Sequence, residues 1–179
     1  MARYSTIEMR QKGFTLLEVI TVLLIVGLLV TGIFKAMALI DNVKLQRDIK
    51  FMKGLHAAYF LYKDRYGRMP GEDLQRPGRL KTILSTQDAP SEGLFYDLYQ
   101  AGFTKELVFQ PNIGQAFKAT WGGSSGANYG LIAGQNQLCI TEVEVDLAQW
   151  MEAKMDDSNR SQGDVEYTLN GSQLCMLLS

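Results

Sequence analysis

The sequence has 179 residues, of which 18 are lysine or arginine and 19 are aspartate or glutamate, and its formal net charge at pH 7 is −1. This near balance excludes a function that rests on bulk electrostatic attraction to nucleic acid or to an anionic membrane surface. The length suits one small globular domain together with one further segment, and the sequence shows no internal repeat and no low-complexity tract.

The chain starts with a short polar segment, residues 1–13, that precedes a long apolar stretch. This segment carries one acidic side chain, Glu8, and three basic side chains, Arg3, Arg10 and Lys12. A basic segment ahead of an apolar run marks the end of a membrane protein that stays in the cytoplasm. If residues 1–13 are removed, three basic groups and one acidic group leave, and the side-chain net charge falls from −1 to −3.

The apolar stretch reaches from Phe14 to Ile40, and it has no charged residue between Glu18 and Lys35. A helix over these residues would be roughly 40 Å long, which exceeds the hydrocarbon thickness of about 30 Å. We therefore predict a transmembrane or filament-core helix over residues 14–40. The carboxylate near its start needs an explanation, because a charge in hydrocarbon costs about 3 kcal/mol.

The boundary between the two segments resembles the processing signature of type IV prepilins and of type II secretion pseudopilins, and it reads Lys12-Gly13-Phe14-Thr15-Leu16-Leu17-Glu18-Val19. In that family a dedicated peptidase cuts after the glycine and N-methylates the new first residue. The resemblance implies that residues 1–13 are a removed leader peptide, that cleavage separates Gly13 from Phe14, and that the new N-terminus is methylated. It also implies a role in filament assembly for Glu18, which would neutralise the amino terminus of a neighbouring subunit.

The same resemblance implies a function, partners and a location. It implies a structural subunit, a major or minor pilin or a pseudopilin, and not an enzyme. The implied partners are the prepilin peptidase, other pilin or pseudopilin subunits and an inner-membrane assembly machinery. The precursor would cross the bacterial inner membrane once, with its N-terminus in the cytoplasm and its head outside. The mature subunit would join a periplasmic or extracellular filament used in adhesion, motility, DNA uptake or protein secretion.

The run Ala36-Met37-Ala38 supports an alternative interpretation. An A-x-A box after a basic segment and an apolar run is the layout of a secretory signal peptide. Cleavage after Ala38 would release a soluble binding protein or enzyme that begins at Leu39. Two features oppose this interpretation, because a glutamate opens the apolar run and the run is at the long end for a signal peptide.

From residue 41 to residue 66 the pattern becomes that of an amphipathic helix. Large side chains recur at spacings of four, four, three and four, namely Phe51, Leu55, Tyr59, Tyr62 and Tyr66. This spacing places them on one helix face, which we predict to pack as core against a globular head. Gly67 and the pair Pro70-Gly71 are expected to end the helix. The only histidine, His56, lies beside this face and is predicted to be structural or solvent-facing.

Residues 67–118 hold all four prolines, and they are predicted to form an irregular connection with one short amphipathic helix, Glu92–Gly102. The overlapping stretch 63–81 is rich in basic side chains, which are Lys63, Arg65, Arg68, Arg76, Arg79 and Lys81. A DNA-binding patch is one interpretation of this stretch. The acidic residues among the basic ones favour a solvated loop, and nucleic acid is not an expected partner.

Residues 119–179 are predicted to form a sheet and one helix. Short apolar or β-branched runs predict four strands, at Tyr129–Ala133, Leu138–Thr141, Val165–Leu169 and Leu174–Leu178. Between the second and third runs a helix is predicted over Val143–Met155, with its buried side formed by Val143, Leu147, Trp150 and Met151. A long N-terminal helix packed on a small antiparallel sheet is an α+β fold. The pilin resemblance implies the same architecture.

Two cysteines, Cys139 and Cys175, lie in the part of the chain that a basic-inside topology exports. An even number of cysteines outside the cytoplasm favours a disulfide. We predict that this bond joins the second and the last of the predicted strands.

The run Gly122-Gly123-Ser124-Ser125-Gly126 matches the G-x-S-x-G pattern of serine hydrolases. In those enzymes the catalytic histidine follows the serine in the chain. Here His56 precedes it, so we interpret the run as a glycine-serine loop. No catalytic residue is predicted.

Residues 154–164 resemble the acidic turn, often written K-x-D-D-G, near the C-terminus of many pilins and pseudopilins, with Ser158 in place of the glycine. Carboxylate and amide oxygens in one loop can hold calcium, and the candidate ligands are Asp156, Asp157, Asn159 and Asp164. The same residue types also cap turns through local hydrogen bonds without a metal. No other cofactor is predicted.

Overall fold

The computed structural model describes residues 15–86, 91–123, 131–170 and 173–178. The helices of this part of the chain are α1 (Leu16–Tyr66), α2 (Leu94–Gln100) and α3 (Val145–Met155). Its strands are β1 (Ile83–Leu84), β2 (Ala116–Trp121), β3 (Asn136–Thr141), β4 (Val165–Tyr167) and β5 (Gln173–Leu177). An N-terminal apolar helix followed by helices and a small antiparallel sheet confirms the predicted α+β, pilin-like fold.

The chain divides into two compact units, Met1–Asp41 and Asn42–Ser179. The second unit, which we call the head unit, contains the C-terminal part of α1 together with all five strands. Helix α1 ends where the sequence predicts, because Gly67 takes the left-handed conformation with φ 67° and donates its N–H to the Lys63 carbonyl at 2.9 Å. Glycine adopts this conformation without steric cost, which is why it commonly terminates helices.

The C-terminal part of α1 supplies one wall of the head core. Its buried apolar side chains are Leu45, Ile49, Met52, Leu55, Ala58, Tyr59 and Tyr62. Phe51 is partly buried, and its ring lies 4.9 Å from that of Phe117 in the sheet. The predicted apolar face is therefore confirmed from Phe51 to Tyr62. The prediction for Tyr66 is wrong, since this last helical residue is 49% exposed.

The sheet has the strand order β1-β2-β3-β5-β4, and all neighbours are antiparallel. Alternate residues of a strand point to opposite faces. One face supplies core residues, among them Phe117, Ala119, Leu138, Ile140 and Leu174. Cys139 and Cys175 belong to the other face, where they are directly opposite each other in β3 and β5 with a Cα–Cα distance of 3.9 Å. They form the predicted disulfide.

Three predicted strands correspond to β3, β4 and β5, but the strand predicted at Tyr129–Ala133 is wrong for its described residues, 131–133, which form a bend and a turn. The Gln137 side chain explains the difference. Its Oε1 accepts the Ile132 N–H at 3.1 Å and its Nε2 donates to the Ile132 carbonyl at 2.8 Å. Because a side chain satisfies these backbone groups, they need no neighbouring strand.

The sheet also begins earlier in the chain than the sequence pattern indicates. Strand β1 and the first residues of β2 precede residue 119, within the stretch predicted to be irregular. The helix predicted at Glu92–Gly102 is confirmed as α2, and the one predicted at Val143–Met155 is confirmed as α3. On α3, Met151 is fully buried as predicted, whereas Leu147 and Trp150 are only partly buried.

Candidate functional site

The first turn of α1 has a capping arrangement that its sequence, T-x-x-E, specifies. The Thr15 hydroxyl oxygen accepts the backbone N–H of Glu18 at 3.3 Å, and the Thr15 carbonyl accepts the same N–H at 3.1 Å. A threonine followed three residues later by glutamate is the pattern of a capping box. The turn therefore places the Glu18 carboxylate near the positive end of the helix dipole, where a negative charge is favoured.

The apolar part of α1 leaves its surface uncovered. The window Leu16–Ile33 has a mean hydropathy of 2.6, and none of it is buried within the chain. By length and composition this segment can cross a membrane. Exposure of apolar surface to water costs about 25 cal/mol per Å². A cover of lipid or of other apolar helices would therefore stabilise this segment.

Polar groups within the same window are satisfied locally, with one exception. The hydroxyls of Thr21 and Thr31 donate to the carbonyls of Glu18 and Leu28, each at 2.9 Å. Internal bonds of this kind make threonine acceptable in a helix surrounded by lipid. The exposed carboxylate of Glu18 is the one formal charge between residues 15 and 33. It is therefore the group that most needs a partner in an apolar environment.

An apolar helix that the described chain leaves uncovered, followed by a disulfide-bonded head unit, fits a membrane-anchored precursor. The comparison with protein families identifies one motif in the chain. Residues 9–34 match the prokaryotic N-terminal methylation motif, which is the signature of type IV pilins and pseudopilins. Neither a curated protein nor a solved structure matches the chain.

The motif has consequences for processing and assembly. It implies cleavage by a prepilin peptidase and assembly with other pilin subunits, and it points to a structural subunit instead of an enzyme. The predicted cleavage residues, Gly13 and Phe14, lie inside the matched range but outside the residues that the structure describes. Glu18 lies inside both.

The predicted acidic loop follows α3, and the structure brings together two of its four candidate ligands. One carboxylate oxygen from each of Asp156, Asp157 and Glu152 lies within 4.8 Å of the others. The Asp164 carboxylate is not part of this group. The Asn159 side chain donates to the Gln162 side chain at 3.2 Å.

Turn capping, the alternative interpretation of this loop, is also present. Asp156 Oδ2 accepts the backbone N–H groups of Asp164 at 2.5 Å and Val165 at 2.9 Å. Asp157 Oδ1 accepts the N–H of Asn159 at 2.8 Å. These bonds order the connection between α3 and β4. They use one oxygen of each aspartate, so each carboxylate keeps a second oxygen for another partner.

Glu152 is a residue of interest that the sequence interpretation missed. It lies on the buried side of α3 and is only 1% exposed. Burial is the largest cause that raises the pKa of its carboxyl, and the charges of Asp157 and Asp156 raise it further, while the amides of Asn159 and Ser158 lower it. The available signal was its spacing, because Asp156 follows Glu152 by four positions as the C-cap of α3, and residues four apart lie close together on a helix.

A second missed residue is Asp48, which is 2% exposed on the head part of α1. Its Oδ1 accepts the backbone N–H of Asn112 at 3.0 Å and the side-chain amide of the same residue at 2.6 Å. Its Oδ2 accepts the backbone N–H of Ile113 at 2.8 Å. The carboxylate thereby fixes the segment that leads into β2. Asp48 appears in the sequence as one of several charges on an amphipathic helix, so nothing in the pattern distinguishes it.

The remaining predicted features have structural roles where the structure describes them. The His56 ring lies 4.9 Å from that of Phe60, and burial lowers its pKa while Asp164 acts in the opposite direction. In the basic stretch, three side chains form ion pairs with carboxylates, which are Arg68 with Asp97, Arg76 with Asp73, and Lys81 with Glu92. The guanidinium of Arg79 lies 5.0 Å from the Trp121 ring centre. Ser124 to Gly126 of the glycine-serine run lie outside the described residues.

Proposed function

We propose that the chain is a structural subunit of a type IV pilus-like filament, a pilin or a pseudopilin, which the membrane holds before assembly. The observation that carries this proposal is the methylation motif over residues 9–34, joined to an apolar helix of which nothing is buried within the chain. A helix that has no partner in its own chain gains apolar burial when it enters a bilayer or a bundle of identical helices. In this proposal, assembly is the transfer of the helix from the bilayer to the helix bundle of the filament.

Processing would prepare the subunit for that step. In the proposal the prepilin peptidase cuts between Gly13 and Phe14, and Phe14 becomes the methylated N-terminus. The basic side chains of residues 1–13 keep this end in the cytoplasm and place the head on the other side of the membrane. The disulfide between Cys139 and Cys175 supports that orientation, because disulfides persist mainly outside the cytoplasm.

Glu18 would then guide assembly through charge pairing. Cleavage creates a positive amino group at Phe14, and the helix bundle of a filament encloses both this group and the Glu18 carboxylate in apolar surroundings. Two opposite charges that meet there satisfy each other. A buried charge that has lost its partner costs about 3–5 kcal/mol. Each incoming subunit would therefore take the position in which its amino terminus meets the carboxylate of a neighbour.

The test is incorporation of Glu18→Ala into filaments in cells that lack the wild-type copy. The capping bond at Thr15 uses the backbone N–H of Glu18, so this change removes the carboxylate and leaves the helix start intact. We expect the variant to be processed and inserted in the membrane but absent from sheared filaments. Glu18→Asp should incorporate partially, because it retains the charge with a shorter reach. Glu18→Gln, which retains the size without the charge, should fail like the alanine variant.

Normal incorporation of the alanine variant would contradict the role of Glu18. It would show that the carboxylate only favours the helix start or reaches the aqueous boundary. Cells that lack the wild-type copy can also show what the filament is used for: adhesion, motility, DNA uptake or protein secretion. Loss of one of these activities on deletion of the gene, restored by the wild-type chain and not by Glu18→Ala, would assign it.

A further inference from the structure

Residues 72–80 form an ordered surface loop that displays one apolar side chain, and we call it the Leu74 loop. Leu74 is 89% exposed, more than any other large apolar side chain among the described residues. The Asp73 N–H donates to the Arg79 carbonyl and the Gly78 N–H donates to Glu72 Oε1, each at 2.8 Å. Because these bonds already hold the loop, Leu74 can bind a partner with little loss of conformational entropy.

A pocket of about 440 Å³ opens at the surface of the head unit, and we call it the α1 pocket. Its walls are mainly apolar and aromatic, formed by Phe51, Leu55, Ala58, Phe103 and Phe109. None of its described lining residues belongs to the Leu74 loop. A concave apolar surface of this kind is suited to an apolar side chain from outside the chain.

Gly54, on α1, also lines the pocket, and the fold of the head does not explain why it is a glycine. Glycine inside a helix is less stable than alanine because it loses more backbone entropy on folding. Close packing against another element can justify that cost, but a Cβ atom at Gly54 would have no described atom of another element within 4 Å. The missing side chain therefore preserves space in the pocket that the described chain does not use.

The charges around the pocket and the loop are complementary. Two lysines and one glutamate border the α1 pocket, namely Lys50, Lys105 and Glu106. Neither lysine belongs to an ion pair among the described residues. Residues 72–76, around Leu74, carry two acidic side chains and one basic side chain. Opposite net charges favour contact between the loop of one chain and the pocket of another.

We propose that the Leu74 loop of one subunit binds in the α1 pocket of a neighbouring copy of the same chain. This inference rests on the proposed function, in which copies of the chain lie side by side in a filament. A contact between two different surfaces of identical chains is heterologous, and it produces an open helical filament unless the rotation closes a ring. The contact would therefore repeat along the filament and fix each head relative to the next.

Cross-linking between introduced cysteines in sheared filaments tests the contact. The two native cysteines are joined in a disulfide, so introduced cysteines supply the only free thiols. Gln75→Cys changes an exposed position next to Leu74, and Glu106→Cys changes an exposed position beside the pocket. With a short thiol-specific cross-linker, a chain with both changes should give covalent dimers, trimers and larger oligomers, and each single-cysteine chain should stay monomeric. Leu169→Cys combined with Glu106→Cys is the matched control and should also stay monomeric.

Two further variants test the contact without cross-linking. Leu74→Asp places a charge at its centre, and Gly54→Leu fills the pocket. Each should lower incorporation into filaments by roughly tenfold or more, as expected for residues at the centre of an interface. Neither should lower the melting temperature of the head, because Leu74 is exposed and a side chain at Gly54 has open space. The controls, Leu169→Asp at another exposed leucine and Ala57→Leu at an exposed position of α1 outside the pocket, should incorporate normally.

Filaments of the double-cysteine chain that yield no oligomers, or only as many as the Leu169 control, would overturn the inference and leave the proposed function intact. Products that stop at dimers would also overturn it, because they indicate a two-fold contact that does not propagate. Products whose mass is not a multiple of the chain would assign the pocket to a different protein. Normal incorporation of Gly54→Leu would exclude the pocket as the binding site. Absence of the wild-type chain from filaments would instead overturn the proposed function, and this inference with it.

Discussion

The apolar side chains of helix α1 are exposed in one region of the molecule and buried in another. In residues 16–33 the segment is strongly apolar and none of it is buried within the chain. From Leu45 onward the same helix buries its apolar face in the head core. The difference shows that apolar content alone does not identify a core. What matters is whether the rest of the chain supplies a surface to pack against, and where it does not, a membrane or a neighbouring subunit must.

This comparison gives a rule for mutations. Changes in the N-terminal region should alter processing, membrane location or assembly, and leave the melting of the head unchanged. Changes in the head should alter its stability and leave the mature N-terminus and the membrane fraction unchanged. Three changes in the head test that separation, from the largest expected effect on its stability to the smallest.

Removal of the disulfide should have the largest effect. The Cys139–Cys175 bond spans 36 positions in sequence, and the double change Cys139→Ala with Cys175→Ala should destabilise the head by roughly 3–4 kcal/mol. Thermal unfolding in detergent measures this loss. Mass spectrometry of the non-reduced wild-type chain is the companion check, and two alkylatable thiols in protein exported normally would refute the bond. An altered N-terminal cleavage in the double variant would contradict the prediction that changes in the head leave the mature N-terminus unchanged.

Loss of the Asp48 carboxylate should have the next largest effect. Asp48→Ala leaves the N–H groups of Asn112 and Ile113 without their acceptor, and we expect destabilisation of about 2–3 kcal/mol. Asp64→Ala, a change at an exposed acid on the same helix, is the matched control and should lie within about 0.5 kcal/mol of wild type. Equal melting temperatures for the two variants would show that the carboxylate does not hold the segment before β2.

The smallest effect should be a gain in stability. Ser158 has a left-handed backbone conformation, φ 67°, at the place where the related acidic turn has glycine. This conformation is unfavourable for a residue with a Cβ atom by roughly 1–2 kcal/mol, while glycine adopts it freely. Ser158→Gly should therefore stabilise the head by about 1 kcal/mol in the presence of chelator. A loss of stability would indicate that the serine side chain makes a contribution larger than the relief of strain.

The parts of the fold that were predicted from sequence depend on local signals. Gly67 ends α1 because of its backbone freedom, and the β-branched and apolar runs at β3 and β5 identify these strands without knowledge of their neighbours. The pairing of Cys139 with Cys175 followed from a count of two. In the N-terminal region, the motif around Glu18 is continuous in sequence, so the order of its residues is sufficient to recognise it.

The features that escaped prediction depend on contacts between distant parts of the chain. Asp48 meets Asn112 across 64 positions of sequence, and no local pattern reports such a bond. The Gln137 side chain forms hydrogen bonds with the backbone of Ile132, in a segment where the sequence predicts a strand. These bonds depend on the side-chain conformation of Gln137. Glu152 resembled a solvent-facing charge of an amphipathic helix, and only the packing of α3 revealed that it is buried.

The central claim is that the apolar helix remains on the mature chain with Phe14 as its first residue. The most direct test is the mass of the N-terminal peptide of the mature protein, purified from membranes or filaments of cells with an active prepilin peptidase. We predict a peptide that begins at Phe14 and carries one methyl group on its amino nitrogen. A mature chain that begins at Leu39 would contradict the account, because cleavage after Ala38 would discard the apolar helix and Glu18 together.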